Sequence, residues 1–144
     1  MALYPGAPIL AIYNSNANAA YAAGVSIFDF EDVVIDTHAA VTTGAAWKFT
    51  APATGYYLVC GVVSLDAILV SKVVDTRIYK NGALYGSGAR VQTNATETLS
   101  SSFSHIVQLS ATDYIDVRVN NGDVANRNAS AAASFNQISV IQVS

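Results

Sequence analysis

Charge is scarce in this chain. Only 12% of its 144 residues are Asp, Glu, Lys or Arg, against roughly 25% in an ordinary soluble domain. The seven Lys and Arg residues are scattered with no run or basic stripe, which excludes a phosphate-tracking nucleic-acid binder. A single cysteine, Cys60, rules out a disulfide within the chain and fits synthesis in a reducing compartment. Lying in the apolar run Tyr56–Val63, it reads as an inert thiol and not as a nucleophile. Two histidines, His38 and His105, and that one cysteine are too far apart in sequence to form a zinc motif. Activated Ser or Cys chemistry needs a nearby base and an orienting group; no G-x-S-x-G elbow is present either. The carboxylates Asp66, Asp75, Asp113 and Asp116 have no spacing that marks a hydrolytic pair. The sequence therefore points away from an enzyme, and no catalytic residue is assigned.

Long apolar runs are also missing. Residues 1–28 carry no charge, but Pro5, Pro8, Asn14, Asn16, Asn18 and Gly24 interrupt them. With no stretch of about 18 apolar residues, no membrane span is expected. A basic n-region is lacking, so no Sec-type signal peptide is read, and synthesis in a cytoplasm is expected. Four of the ten acids cluster in Phe28–Asp36. They offer oxygen to Ca²⁺ but lack the EF-hand spacing, so a solvated edge or loop is expected. No cofactor is assigned.

What is present is punctuation every eight to twelve residues, with Gly, Asn, Pro and Asp separating short runs of Val, Ile, Tyr, Phe and Thr. That is the pattern of an all-β sandwich or barrel. Nine strands are predicted: 8–14, 25–30, 46–50, 56–65, 73–80, 83–89, 98–109, 114–120 and 135–143. Asn81-Gly82 is the strongest hairpin signal, since both positions of a type I′ turn need φ > 0. Asn121-Gly122 carries the same signal, and Gly86-Ser-Gly88 reads as a flexible connection. Most strands alternate, as in Ile115, Val117 and Val119 against Tyr114, Asp116 and Arg118. Tyr56–Val63 is different. Tyr57, Val59 and Val63 line one face while Tyr56, Leu58, Cys60 and Val62 line the other, so both faces need cover. One is the core; a partner subunit or a loop must cover the second.

Phe49-x-x-Pro52-x-x-Gly55-x-Tyr57 resembles the signature of the C1q/TNF-like jelly-roll family. The likeness continues in order: Ile27-Phe-Asp-Phe30, Arg77-Ile-Tyr-Lys-Asn-Gly82, Val107-Gln-Leu-Ser-Ala-Thr-Asp-Tyr-Ile115, and the final strand from Phe135. Thr112 and Gln137 stand where the family has glycine, and no collagen-like stalk is present. The resemblance implies a C1q/TNF-like jelly-roll β-sandwich of about ten antiparallel strands, packed as a homotrimer, with Tyr57, Val59, Val63, Ile115, Val117 and Phe135 at the trimer interface. One domain is expected, with residues 1–24 an N-terminal arm and first strand and 25–144 the remainder.

The role follows by analogy of fold and composition. Stalkless jelly rolls poor in Lys and rich in Ala, Asn, Ser, Thr and Val resemble bacteriophage virion proteins. The expectation is a trimeric capsid decoration (cement) protein on the virion surface, made in the host cytoplasm. Its partners would be itself and the major capsid protein, reached through an arm containing Leu3, Tyr4, Pro5 and Ile9. The alternative is a receptor- or carbohydrate-binding tip that meets a cell-surface glycan through Tyr85, Asn94 and Asn126.

Overall fold

A computed structural model describes residues 7–144. Among them every regular element is a strand except a 3₁₀ turn at Ala133–Phe135, and no helix is long and apolar enough to cross a membrane. In chain order the strands are β1 (Leu10–Asn14), β2 (Ala20–Tyr21), β3 (Gly24–Ile27), β4 (Asp32–Asp36), β5 (Val41–Thr42), β6 (Lys48–Thr50), β7 (Gly55–Ile68), β8 (Val73–Lys80), β9 (Ala83–Gln92), β10 (Glu97–Leu109), β11 (Tyr114–Asn121), β12 (Arg127–Asn128) and β13 (Gln137–Gln142). All nine predicted strands form. Those not predicted are the two-residue β2, β5 and β12, and β4, which is the solvated edge expected of the acidic segment.

Two antiparallel sheets face each other. One has the order β10-β7-β13-β1-β4, the other β5-β6-β11-β8-β9, with β3 also paired to β11. Alternation sends one face of each strand into a shared core that includes Trp47, Phe49, Tyr57, Val59, Ile78, Ile115 and Val117, all fully buried. A chain of aromatic contacts seals one side of it: Tyr21 on Phe28 at 4.8 Å, Phe28 to Phe30 at 4.7 Å, Phe30 to Trp47 at 5.4 Å. The F-x-x-P-x-x-G-x-Y stretch ties the sheets together. Phe49 on β6 meets Tyr57 on β7 edge-on at 5.5 Å, and the Tyr57 hydroxyl donates to the Ala53 carbonyl at 2.6 Å.

The turns confirm one expectation and correct two. Asn81 and Gly82 both have positive φ (49° and 81°), as a type I′ hairpin requires. Asn121 instead ends β11, buried, its amide donating to the carbonyls of Tyr21 and Ala125. Gly86 and Gly88 are no flexible connection either. They lie inside β9, where β9 crosses against β10 so closely that a Cβ at Gly86 would meet the His105 ring at 2.6 Å.

The N-terminal part is likewise no free arm from residue 7 onward. Ile9 is buried in the core, β1 lies between β13 and β4, and β2 pairs with β12. Leu3, Tyr4 and Pro5 lie outside the described residues.

Opposite the Asn81-Gly82 end, Asp123 joins loops. Its Oδ2 accepts from the Leu69 amide and from Arg127 Nε, both at 2.9 Å, and its Oδ1 from the Val124 amide at 2.6 Å. Burial alone would push this carboxyl up; the donors outweigh it and hold the pKa at about 2. A depressed carboxyl adds stability that is complete above its ordinary value of 3.8 and is lost as pH falls toward about 2. Asp123→Asn should therefore flatten the acid limb of a melting-temperature profile in that window and cost about 2 kcal/mol at neutral pH. An unchanged profile would show that the loops do not depend on this charge.

Thr112 has φ 75° at the position where the resembled family has glycine. A β-branched residue is strained there, and the side chain is exposed, so nothing is lost by removing it. Thr112→Gly should raise stability by about 1 kcal/mol, or about 3 °C in melting temperature at fixed protein concentration. A lower melting temperature would refute the strain.

Candidate functional site: two opposite sheet faces

The expected interface residues lie on the wrong side of their strands. Tyr57, Val59, Val63, Ile115 and Val117 are all fully buried between the two sheets of one chain, so they have no surface to offer a neighbour. Phe135, half exposed beside the start of β13, is the one of the six that is accessible.

The opposite face of the same strand carries the second apolar set. Register aligns Leu10 on β1 with Ile141 on β13, Leu58 on β7 and Ile106 on β10, a continuous apolar row across four strands. The next row runs Ile35, Ile12, Ser139, Cys60, Ser104. Tyr56, Ile106 and Val143 are 45%, 57% and 51% exposed, while Leu58, Cys60 and Val62 are partly exposed. No loop of the described chain covers this face. At the β10 edge it adjoins β9, where exposed Tyr85 donates its hydroxyl to the Ile106 carbonyl at 2.9 Å; Leu84, opposite Tyr79 in register, belongs to the outer face of the other sheet.

The outer face of the other sheet is polar and ordered. Asp75, Arg77 and Tyr79 of β8 stand beside Asn120, Arg118 and Asp116 of β11. Asp116, nearly fully buried, accepts from Arg118 Nε at 2.7 Å and from an Nη at 3.3 Å, which raises the guanidinium pKa further. Arg118 also stacks 3.8 Å over the Tyr79 ring. Asp75 pairs with Arg77 and accepts from the Asn120 amide, both at 2.9 Å. Neither acid has a second carboxylate beside it, so the tested hydrolytic pairing does not form: Asp113 lies in the turn after β10, and Asp66 accepts from Thr98.

The other edge of β11 is shared. β6 pairs with residues 114–115 and β3 with 118–121. Between them, where the chain leaves for the other sheet after Ile27, a notch opens over Asp116 and Arg118, walled by Ile27, Ala46, Lys48 and Tyr114. Lys48 lies 5.0 Å over the Tyr114 ring and makes no ion pair among the described residues. The notch leads into a groove lined by Ala20, Tyr21, Ser26, Asp29 and Ala45.

Other candidate groups are spent on structure. His38 shares a 2.8 Å hydrogen bond with Thr37, and His105, 2.9 Å from the Ser87 carbonyl, sits at the far edge of the same sheet. The acids of Phe28–Asp36 do not converge: Asp29 accepts from the Gly44 amide, Glu31 from Asn16 and Ala17, Asp36 from His38, Ala40 and Val41. Among the described residues no three His, Cys, Asp or Glu side chains form a metal-sized cluster. Tyr85 lies on β9, away from Asn94 and Asn126 at the opposite end, so the three do not form one tip.

No family model matches the sequence, and no curated protein matches it. Solved structures do match the fold. The Eiger TNF of S. frugiperda aligns with a TM-score of 0.70 at 15% identity, covering 95% of this chain and 93% of its own. Murine APRIL at pH 5.0 gives 0.73 at 12% identity, covering 95% and 100%. The chain has the TNF/C1q-like jelly-roll fold. The globular domain of zebrafish complement 1qA agrees, with a TM-score of 0.67 at 14% identity and 94% of each chain covered. At such identities the likeness is one of fold. Within the TNF/C1q-like fold, the doubly apolar β7 was the sequence signal for an exposed apolar face; the parity chosen for Tyr57, Val59 and Val63 was wrong, and Ile115 and Val117 lie on β11 of the other sheet, whose outward side is polar. The Lys48–Arg118 notch had no comparable signal, because it depends on β3 and β6 sharing one edge of β11.

Proposed function

We propose that this protein is a non-enzymatic assembly module, a homotrimer that serves as a decoration protein on the surface of a bacteriophage virion. The observation that carries the assembly is the uncovered apolar row Leu10–Ile141–Leu58–Ile106. In a chain with 12% charge, a face of this kind favours association over solution. The apolar surface comprises a sheet face and the adjoining β9–β10 edge. Face against the next copy's edge is a head-to-tail contact, which closes into a ring of three when successive copies are related by a third of a turn and otherwise runs on as a filament. The low-charge, Lys-poor composition supports the virion role, and three linked contacts per particle would give avidity on a repeating lattice.

Light scattering should give a mass of three chains, and Leu58→Glu, which puts a charge into the centre of the row, should give monomers of unchanged circular dichroism. Cys60, on that face, should resist a thiol reagent in the wild type and react quickly in the variant. A wild-type monomer with freely reactive Cys60 would end the proposal.

The virion role is tested in a lysate of the source host, by gradient sedimentation probed with an antibody to the chain. Co-banding with DNA-filled particles is expected; recovery only in the soluble fraction would overturn it. Ile9 is buried and cannot dock, so the proposed capsid contact is narrowed to residues 1–6. Deleting only those six should abolish particle binding and leave mass and melting temperature unchanged. Retained binding would remove them from the contact.

A further inference from the structure

We infer that the outer face of the β5-β6-β11-β8-β9 sheet binds an acidic saccharide, with a sugar carboxylate held in the notch between Lys48 and Arg118. The charge distribution is the first observation. The chain carries a net −3, yet register places four cations, Lys48, Arg77, Arg90 and Arg118, on this face against two carboxylates, Asp75 and Asp116. Both carboxylates are nearly fully buried under their own arginines, so what reaches solvent here is positive. Lys48 has no acidic partner among the described residues.

Shape is the second. The notch, about 230 Å³, opens into a groove of about 540 Å³, the scale of one or two sugar rings. Small side chains at Ala20, Ala22 and Ala45 leave room in the groove for a sugar ring, and Tyr114 supplies an aromatic wall in the notch. Polarity then fixes direction. Asp29 lines the groove but not the notch; its Oδ1 accepts from the Gly44 amide, and its carboxylate would repel a sugar carboxylate and accept from sugar hydroxyls. The carboxylate is left to Lys48 and to the guanidinium edge of Arg118 not used by Asp116. The site is on the sheet opposite the apolar face, so it does not depend on trimer formation.

Calorimetry with the full chain tests this, using a glucuronate-containing tetrasaccharide and its carboxyl-reduced, uncharged analogue. The acidic sugar should bind at least about tenfold more tightly than the neutral one, and more weakly as salt rises. Lys48→Gln, a change on the solvent side of a three-residue strand, should lower affinity about tenfold. Lys72→Gln, away from the notch, should not. Lys48 is preferred to Arg118 because Arg118→Gln would leave Asp116 buried without its partner. The proposal is overturned if neither sugar binds or both bind alike. It is equally overturned if the two lysine variants lose affinity equally, or if an acidic peptide of the same charge binds as tightly, since the groove would then read charge alone.

Discussion

β7 is apolar on both faces from Tyr56 to Val63, and the rest of the molecule is arranged around that fact. One face, with Tyr57, Val59 and Val63, is closed off by the opposing sheet. The other, with Tyr56, Leu58, Cys60 and Val62, is flanked by β10 and β13, whose own outward residues Ile106 and Ile141 extend it. A strand of this kind is at home only when covered on both sides. Among the described residues the TNF/C1q-like fold supplies one cover, and the second face is the surface on which the proposed assembly would form.

Most of the fold was legible because its signals are local. Asn81-Gly82 requires left-handed φ at both positions, and it has it. Phe49 and Tyr57 flank a Pro/Gly turn that reverses the chain between sheets, and the two rings meet. What could not be read was parity. Alternation along β7 gives two equivalent apolar sets, and nothing in residues 56–63 states which one meets the opposing sheet. A one-residue change of register exchanges every side chain between faces; here the choice fell on Tyr57 because its hydroxyl and ring complete the brace with Ala53 and Phe49. Gly86 and Gly88 were misread for a related reason: a glycine kept for the close approach of β10 looks, in sequence, like a glycine kept for a turn. The notch was invisible because Lys48, Tyr114 and Arg118 come from two strands that meet only through the pairing of β11.

The two sheets divide their outer surfaces by chemistry. The β10-β7-β13-β1-β4 sheet ends in apolar rows and, at β4, in an acidic edge where Val33 and Val34 are flanked by Asp32 and Asp36. The other sheet presents ion pairs, a guanidinium stacked on Tyr79 and a lysine, Lys48, with no ion pair among the described residues. Two of its arginines are held by the carboxylate two residues before them on their own strand, Asp75 for Arg77 and Asp116 for Arg118. Arg77 and Arg118 stand directly opposite each other in register, a placement that is unfavourable without compensation. The two buried acids are that compensation.

This division constrains how the molecule meets other surfaces. Packing through the apolar sheet turns the polar sheet outward in every copy, so a ring of copies presents the same ordered face repeatedly around its circumference. A weak site becomes effective when it is presented several times at fixed spacing. The scarcity of charge elsewhere then has a physical consequence. With four of the seven basic side chains gathered on one face, the short range of screened electrostatics still distinguishes that face from the rest of a neutral-to-acidic surface. Apolar burial would set the assembly, and the few charges that remain would set its orientation toward whatever it contacts.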